Sequence, residues 1–377
     1  MLGEHPIKQI LIDTRDDWDH TSTPSHIREN FLKIIQCRTM ALGAEVYASE
    51  TESKLVYHTC KSRYCTSCGQ RATEAWQEDL AATLPDVPYV GITLTMPKEL
   101  RPILQANPHV LHSVPTMGAE ALKLWAKARH GARIIVIVVQ QTFGGLLNFV
   151  PHLHVLVSQG GLQESRRWID RLGYDRKEIM QAWRYAVLAL ISESRRTNPL
   201  KVDLSCEELT AMLQSQWKRR WNIFISRPGS KVGFLRHDGR YIRRPPVAQH
   251  RLRRTGEDEV EYWVKDTRAE EFVRKLYTLN EFVTILMRHV PHRGRHAMRY
   301  FGLLAPRCKA QAWGAIFLVL KQVQRPRPAR TSWRWLLHRT FGIDPLLDST
   351  GRPMRWIGRR NPVRGLGSAD QCLPIDR

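Results

Sequence analysis

Two histidines stand two residues apart in PHLHVLV, residues 151–157. On a strand, side chains two apart share a face, so His152 and His154 point together while Leu153, Val155 and Val157 enter the opposite packing layer. Two imidazoles a short step apart can chelate one divalent ion. A third ligand is normally needed. The preceding apolar run ends in Gln140 and Gln141, whose amide oxygens suit a hard cation if a hairpin returns them beside the histidines; of the two, Gln141 is favoured. The plain alternative is two histidines that alternate on a half-exposed strand. An ion held by neutral histidines and an amide keeps its double charge, which suits polarising a phosphodiester. Such a site lacks a nucleophile. Among ten tyrosines, Tyr241 stands out in HDGRYIRRPP, where Arg236, Arg240, Arg243 and Arg244 can hold phosphates on either side and favour the phenolate. Its plain alternative is a tyrosine packing one amphipathic turn.

A second group of chemistry-bearing residues lies nearer the N-terminus. Four of the seven cysteines, Cys37, Cys60, Cys65 and Cys68, fall in one short stretch with Lys61, Arg63 and Arg71 interleaved, and they read as a small metal module rather than a disulfide framework. Cys206, Cys308 and Cys372 are scattered singly and take no role.

The composition says what these groups act on. The chain has 377 residues, enough for two or three modules, and a net charge of +22 from 58 Lys and Arg against 36 Asp and Glu. That balance fits a polyanion partner and not an ordinary metabolic enzyme. Twelve tryptophans add planar surfaces on which unpaired bases stack. The longest apolar run, Ile134 to Val139, is strand length and far short of a bilayer span, so no membrane association is expected. The N-terminal stretch shows no basic lead followed by a long apolar core, and the expected compartment is the cytoplasm.

The elements that must position these residues follow from periodicity. Residues 22–36 read as a helix capped by Ser25. Apolar runs at 89–96, 133–141 and 152–158 read as buried strands, with a helical stretch around 108–129 between them, which gives an α+β core. Residues 165–222 are helix-favouring, 258–266 is strand-like, and a helix is expected near 279–290. Pro245 and Pro246 must end any helix that holds Tyr241. The organisation expected is an N-terminal helix and cysteine module over residues 1–85, a catalytic domain over 86–320 and a basic Arg-, Pro- and Trp-rich tail over 321–377. Arg251, Arg253 and Arg254 after the tyrosine, with Arg325, Arg327, Arg330 and Arg334 in the tail, together read as a track for a phosphate backbone.

The run GARIIVIVVQQTFGGLLNFVPHLHVLVSQGGL, with GRYIRRPPVAQHRL and RHAMRYFGLLAPR downstream, closely resembles the rolling-circle insertion-sequence transposases of the HUH superfamily, including the ISCR-type elements, over nearly the whole chain. The resemblance implies a five-stranded antiparallel sheet with the paired histidines on a central strand and the tyrosine on a helix laid across it. It implies that one DNA strand is cut, with a 5′-phosphotyrosine link and a free 3′-hydroxyl. His152, His154 and Gln141 then hold Mg²⁺ or Mn²⁺ and Tyr241 is the nucleophile; His237 stands where some relatives carry a second tyrosine, so a single-tyrosine enzyme is expected. The substrate implied is single-stranded DNA at transposon ends, and a homodimer is one way for a lone tyrosine to complete both strand transfers.

CKSRYCTSCGQ is similar to the family's N-terminal zinc module, in which Cys37 also has a counterpart; Cys37, Cys60, Cys65 and Cys68 would close one structural Zn²⁺ site, with His58 the substitute if Cys37 lies too far away. A further CxxC of the family pattern is replaced here by YASETESK, and a C-terminal CxxCG by DPLLDSTGRPM, where Asp348 and Gly351 cannot rebuild a zinc site. Two rival readings stay open. One is a replication initiator or relaxase with the same chemistry, although no GxxxxGK[ST] helicase segment is present. The other is a noncatalytic DNA-binding descendant.

Overall fold

The computed structural model describes residues 6–62, 64–242, 245–265, 271–325, 334–335, 338, 342 and 344–363. The chain opens with α1 (Pro6–Asp13), α2 (Arg15–Trp18) and α3 (Ser25–Ile35). Trp18 is fully buried, donates its indole N–H to Leu11 O at 3.0 Å and meets Phe31 edge-on at 5.2 Å. The expected cap is one residue off. Ser25 begins α3, and the N-cap position is Pro24, which has no side-chain acceptor to offer. A hairpin of β1 (Ala44–Ala48) and β2 (Ser53–Tyr57) follows, then the long helix α4 (Thr66–Thr83), whose first turn carries Cys68.

β3 (Tyr89–Leu94) starts the main sheet. α5 (Arg101–Ala106) and α6 (Pro108–His130) come next, and α6 runs through an internal Pro115 to a left-handed Gly131 cap. Proline cannot donate to the carbonyl four residues earlier, which leaves Leu111 O without its helical partner. Gln140 fills that place, donating Nε2–H to Leu111 O at 2.7 Å. The chain continues through β4 (Ala132–Arg133), β5 (Ile135–Phe143), β6 (Phe149–Ser158), β7 (Gly161–Gln163) and β8 (Trp168–Ile169), then α7 (Arg176–Thr197), α8 (Cys206–Lys218) and β9 (Ile223–Ile225). α8 begins with a complete capping box between Ser205 and Glu208.

α9 (Lys231–Ile242) carries Tyr241 and ends before the proline pair, as expected. Beyond it lie β10 (Leu252–Arg254), β11 (Glu259–Lys265), β12 (Phe272–Thr278), α10 (Leu279–Met287), β13 (Met298–Gly302), α11 (Pro306–Val319) and β14 (Arg355–Arg360).

The result is α+β, centred on a five-stranded sheet in the order β13-β5-β6-β3-β9, antiparallel throughout, with the histidine strand β6 in the middle. One face buries Val136, Val138, Leu153, Val155 and Val157 beneath α6 and α7. The other buries Tyr89, Ile135, Ile137 and Leu156 beneath α4, α9 and α11. A separate core joins α1, α3 and the cysteine region to α10 and the three-stranded sheet β10-β11-β12. β14, near the C-terminal end of the described residues, pairs antiparallel with β1, so this basic stretch is built into the N-terminal hairpin. Among the described residues no helix is long and apolar enough to cross a membrane.

Candidate functional site

β5 and β6 form a hairpin whose register sets Gln141 opposite His152 and Val139 opposite His154. Directly opposed residues of an antiparallel pair lie on the same face, so Gln141, His152 and His154 share the face covered by α4 and α9. Gln140 belongs to the other face, where α6 holds its amide. Of the two glutamines the sequence favoured Gln141, and the register puts that one opposite His152.

The histidine Nε2 atoms are 3.1 Å apart. His152 Nδ1 lies 2.7 Å from Val150 O, so that nitrogen carries the proton and Nε2 keeps its lone pair. His154 Nδ1 is 3.5 Å from Thr93 Oγ1 on β3. Both rings are half-buried, and Gln141 is buried. Two nitrogens at metal–nitrogen distances of about 2.1 Å around one ion stand roughly 3.0–3.4 Å apart. The pair fits a shared ion without rearrangement.

α9 reaches this face because β3 offers no side chain at Gly91. A Cβ there would fall 2.5 Å from Phe234 Cζ. Phe234 and Leu235 are buried against the sheet, while the exposed Arg236 follows them. At the start of α9 Lys231 donates to Leu84 O at 3.0 Å, and burial lowers its ammonium pKa. Gln77 of α4 donates to Leu235 O at 2.5 Å, and a Cβ at Gly239 would meet Gln77 Nε2 at 2.6 Å, so glycine permits close packing of α9 on α4. Tyr241 and Arg240 lie on the last turns of α9, whereas Arg243 and Arg244 lie outside the described residues.

Sequence reasoning passed over His289. It is buried after α10, with Nε2 2.7 Å from Leu147 O and Nδ1 3.1 Å from Thr142 Oγ1, and its burial holds the imidazole below its usual pKa. It thereby anchors the β5–β6 hairpin that carries the three candidate ligands. One histidine among several in RHVPHRGRH gave no signal of this.

The four cysteines converge, their sulfurs all within 4.8 Å of one another. Cys37 to Cys68 and Cys60 to Cys68 are 3.6 Å, and Cys65 to Cys37 is 3.7 Å. A tetrahedral zinc with Zn–S near 2.3 Å places its sulfurs about 3.8 Å apart, so the set fits one closed structural Zn²⁺ site. Hydrogen bonds from the neighbouring thiols hold Cys37 and Cys68 below the usual thiol range and push Cys60 and Cys65 above it. Backbone N–H groups of Cys60 and Ser62 also point at Cys37 Sγ and Cys60 Sγ, each at 3.4 Å. His58 is engaged elsewhere, on Leu42 O at 2.9 Å and Glu45 at 3.0 Å. Cys37 comes within reach because Arg38 N–H donates to His58 O at 3.0 Å, closing the loop between Cys37 and Cys60.

The turn in DPLLDSTGRPM is organised by Asp348. Its carboxylate accepts from Arg352 N–H at 2.8 Å and from the Thr350 hydroxyl at 2.8 Å. Thr51 of the β1–β2 turn reaches the same carboxylate at 3.4 Å, and Glu52 accepts from Ser349 N–H at 2.7 Å. Hydrogen bonds thus join this turn to the β1–β2 turn.

Comparison with known proteins agrees with this geometry. Residues 135–312 match the family described as "Putative transposase", and residues 10–96 match "Transposase zinc-binding domain". The chain is 28% identical over 338 residues to the "Transposase for insertion sequence element IS801" of Pseudomonas savastanoi pv. phaseolicola, covering 84% of this chain and 80% of that one. It is also 28% identical over 310 residues to the "Putative transposase y4qJ" of Sinorhizobium fredii, covering 78% of each. No solved structure matches.

Proposed function

We propose that the chain is an insertion-sequence transposase similar to that of IS801, with a transposase zinc-binding domain toward its N-terminus, and that it cuts and rejoins single-stranded DNA at transposon ends through Tyr241. The observation that carries this reading is the shared sheet face: Gln141, His152 and His154 lie under the layer to which α9 belongs. Position 241 falls seven residues after Phe234, which puts it on the same helical stripe and about 10.5 Å further along the axis.

In this mechanism the Tyr241 phenolate attacks the scissile phosphorus. The Oη–P bond forms as the P–O3′ bond breaks, and the 3′ oxygen leaves as a hydroxyl after taking a proton. His152, His154 and Gln141 would hold a Mg²⁺ or Mn²⁺ ion, which when bound would supply positive charge to the scissile phosphate. Val150 O and Thr93 orient the two imidazoles toward that place. Arg236, Arg240, Arg243 and Arg244 offset the charge that develops on the phosphate. The phosphotyrosine conserves the energy of the broken bond for rejoining, so no nucleotide cofactor is required. A second copy of the chain supplies a second tyrosine where two strands are transferred.

The test is a protein with both histidines replaced by alanine. It should bind single-stranded oligonucleotides spanning the element ends as the unmodified protein does, and cut none of them in Mg²⁺ or Mn²⁺. Cutting at an undiminished rate would remove the histidine pair from the mechanism.

A further inference from the structure

Where β5 runs on past the end of β13, a cavity of about 330 Å³ opens at the sheet edge between α3, α5, the start of α6 and the segment after α10. That volume is at the small end of ligand sites, room for one residue of a polymer and not for a folded segment. Gln141 and Thr142 form the side nearest His152. Phe143, Phe149 and Leu111 give an apolar floor, stiffened where His289 stacks on Phe149 at 6.4 Å between ring centroids. His26 and His292 stack at 4.1 Å on the wall that α3 shares with the segment after α10. Arg288 and Arg295 stand exposed along the lining, and among the described residues no acidic side chain lines the cavity. Burial holds His26 and His292 below the usual imidazole range and His112 at about 4, so the positive charge here belongs to the arginines.

We infer that this cavity holds one unpaired nucleotide of the bound strand, its base on Phe143, Phe149 and Leu111 and its phosphate toward Arg288 and Arg295. The inference rests on the DNA-cutting reading and deepens it. A planar apolar floor with amide and imidazole groups around it suits a base, and a cationic, carboxylate-free rim suits a phosphodiester. Gln141 lines the cavity and also stands opposite His152 in the β5–β6 hairpin, which is the link between this cavity and the histidine site. Tyr64, between Cys60 and Cys65, also lines the cavity, so the cysteine module forms part of its wall.

The experiment compares a fluorescein-labelled 12-nucleotide oligothymidylate with an abasic chain of the same length, bound to the full-length protein without divalent ion. The unmodified protein should prefer the thymidylate by about tenfold, the lower part of what stacking one base contributes. Gln105→Trp places an indole from the exposed end of α5 in the mouth of the cavity. It should abolish most of that preference and leave abasic affinity within about twofold, because the phosphate-binding arginines are untouched. Arg288→Ala with Arg295→Ala should weaken both chains equally and lower the salt slope by about one for each arginine removed. A Gln105→Trp protein that keeps the full preference, or an unmodified protein that binds both chains equally, overturns the cavity assignment. An unmodified protein that binds neither chain overturns the DNA reading beneath it.

Discussion

The cysteine cluster and the histidine pair both bring together side chains able to hold a cation, and they differ in closure. Four sulfurs at 3.6–3.7 Å complete a tetrahedral shell by themselves and leave no position for a substrate. Two imidazoles with a buried amide beside them leave most of the shell open. A closed site contributes folding energy, and an open one contributes chemistry. The two regions are also joined. α4 starts in the cysteine cluster and ends against Lys231, its Gln77 bonded to α9 on the way. Thr66, at the first turn of α4, lies 3.0 Å from Gln249 just past the proline pair. The closed site therefore braces α9, the helix that carries Tyr241, the proposed nucleophile.

The largest effect expected from this contrast is on stability. Cys68→Ser removes a ligand, and a strong chelator the ion, from a site whose binding free energy in small zinc modules is on the order of 10 kcal/mol. The N-terminal core should lose its cooperative thermal transition and the protein its zinc. The double histidine-to-alanine protein should unfold like the original. A Cys68→Ser protein with full zinc content and an unchanged transition breaks the distinction.

A smaller effect is expected where α9 meets the sheet. Gly91→Val forces Phe234 aside and should destabilise the protein by about 1–3 kcal/mol in urea titrations. Cutting should fall much further than DNA binding does, because α9 is lifted from the histidine face. Equal loss of binding and cutting would mean that α9 serves substrate affinity and not nucleophile placement.

The smallest concerns the strand added from the C-terminal side. Trp356 and Arg359 of β14 donate to Glu45 at 2.8 Å, and with His58 they hold its carboxyl at about 2. A depressed carboxylate pKa stabilises the folded form above the ordinary carboxylate value, and the contribution is lost as pH falls toward about 2. Protection of the amides at residues 355–360, taken relative to their intrinsic exchange rate at each pH, should fall across that window and be lower at neutral pH in Glu45→Gln. Unchanged exchange in Glu45→Gln would assign the pairing to the backbone ladder alone.

The histidine site was legible because β5 opens on a continuous β-branched run and β6 alternates Leu153, Val155 and Val157 with the facing of His152 and His154. α6 was legible through its periodicity despite Pro115, whose cost is met by Gln140. Other parts were hidden because they depend on distant partners. β14 reads RWIGRR and becomes a strand only through its register with Ala44–Ala48. β12 and β13 are short, and charged residues interrupt them. α9 carries Gly233 and Gly239, poor helix formers, and its packing on α4 and β3 compensates for them. Cys37 is 23 residues from Cys60, and no local pattern shows that the intervening hairpin brings them together.

The most direct test of the central claim is the covalent adduct. Single-stranded oligonucleotides from both element ends are incubated with the protein in Mg²⁺ or Mn²⁺, resolved on a denaturing gel, and the linked peptide is identified by mass spectrometry. The account predicts a metal-dependent protein–DNA band with the phosphate on Tyr241, absent in Tyr241→Phe. A band that persists in Tyr241→Phe, or a linked peptide from elsewhere in the chain, would contradict it.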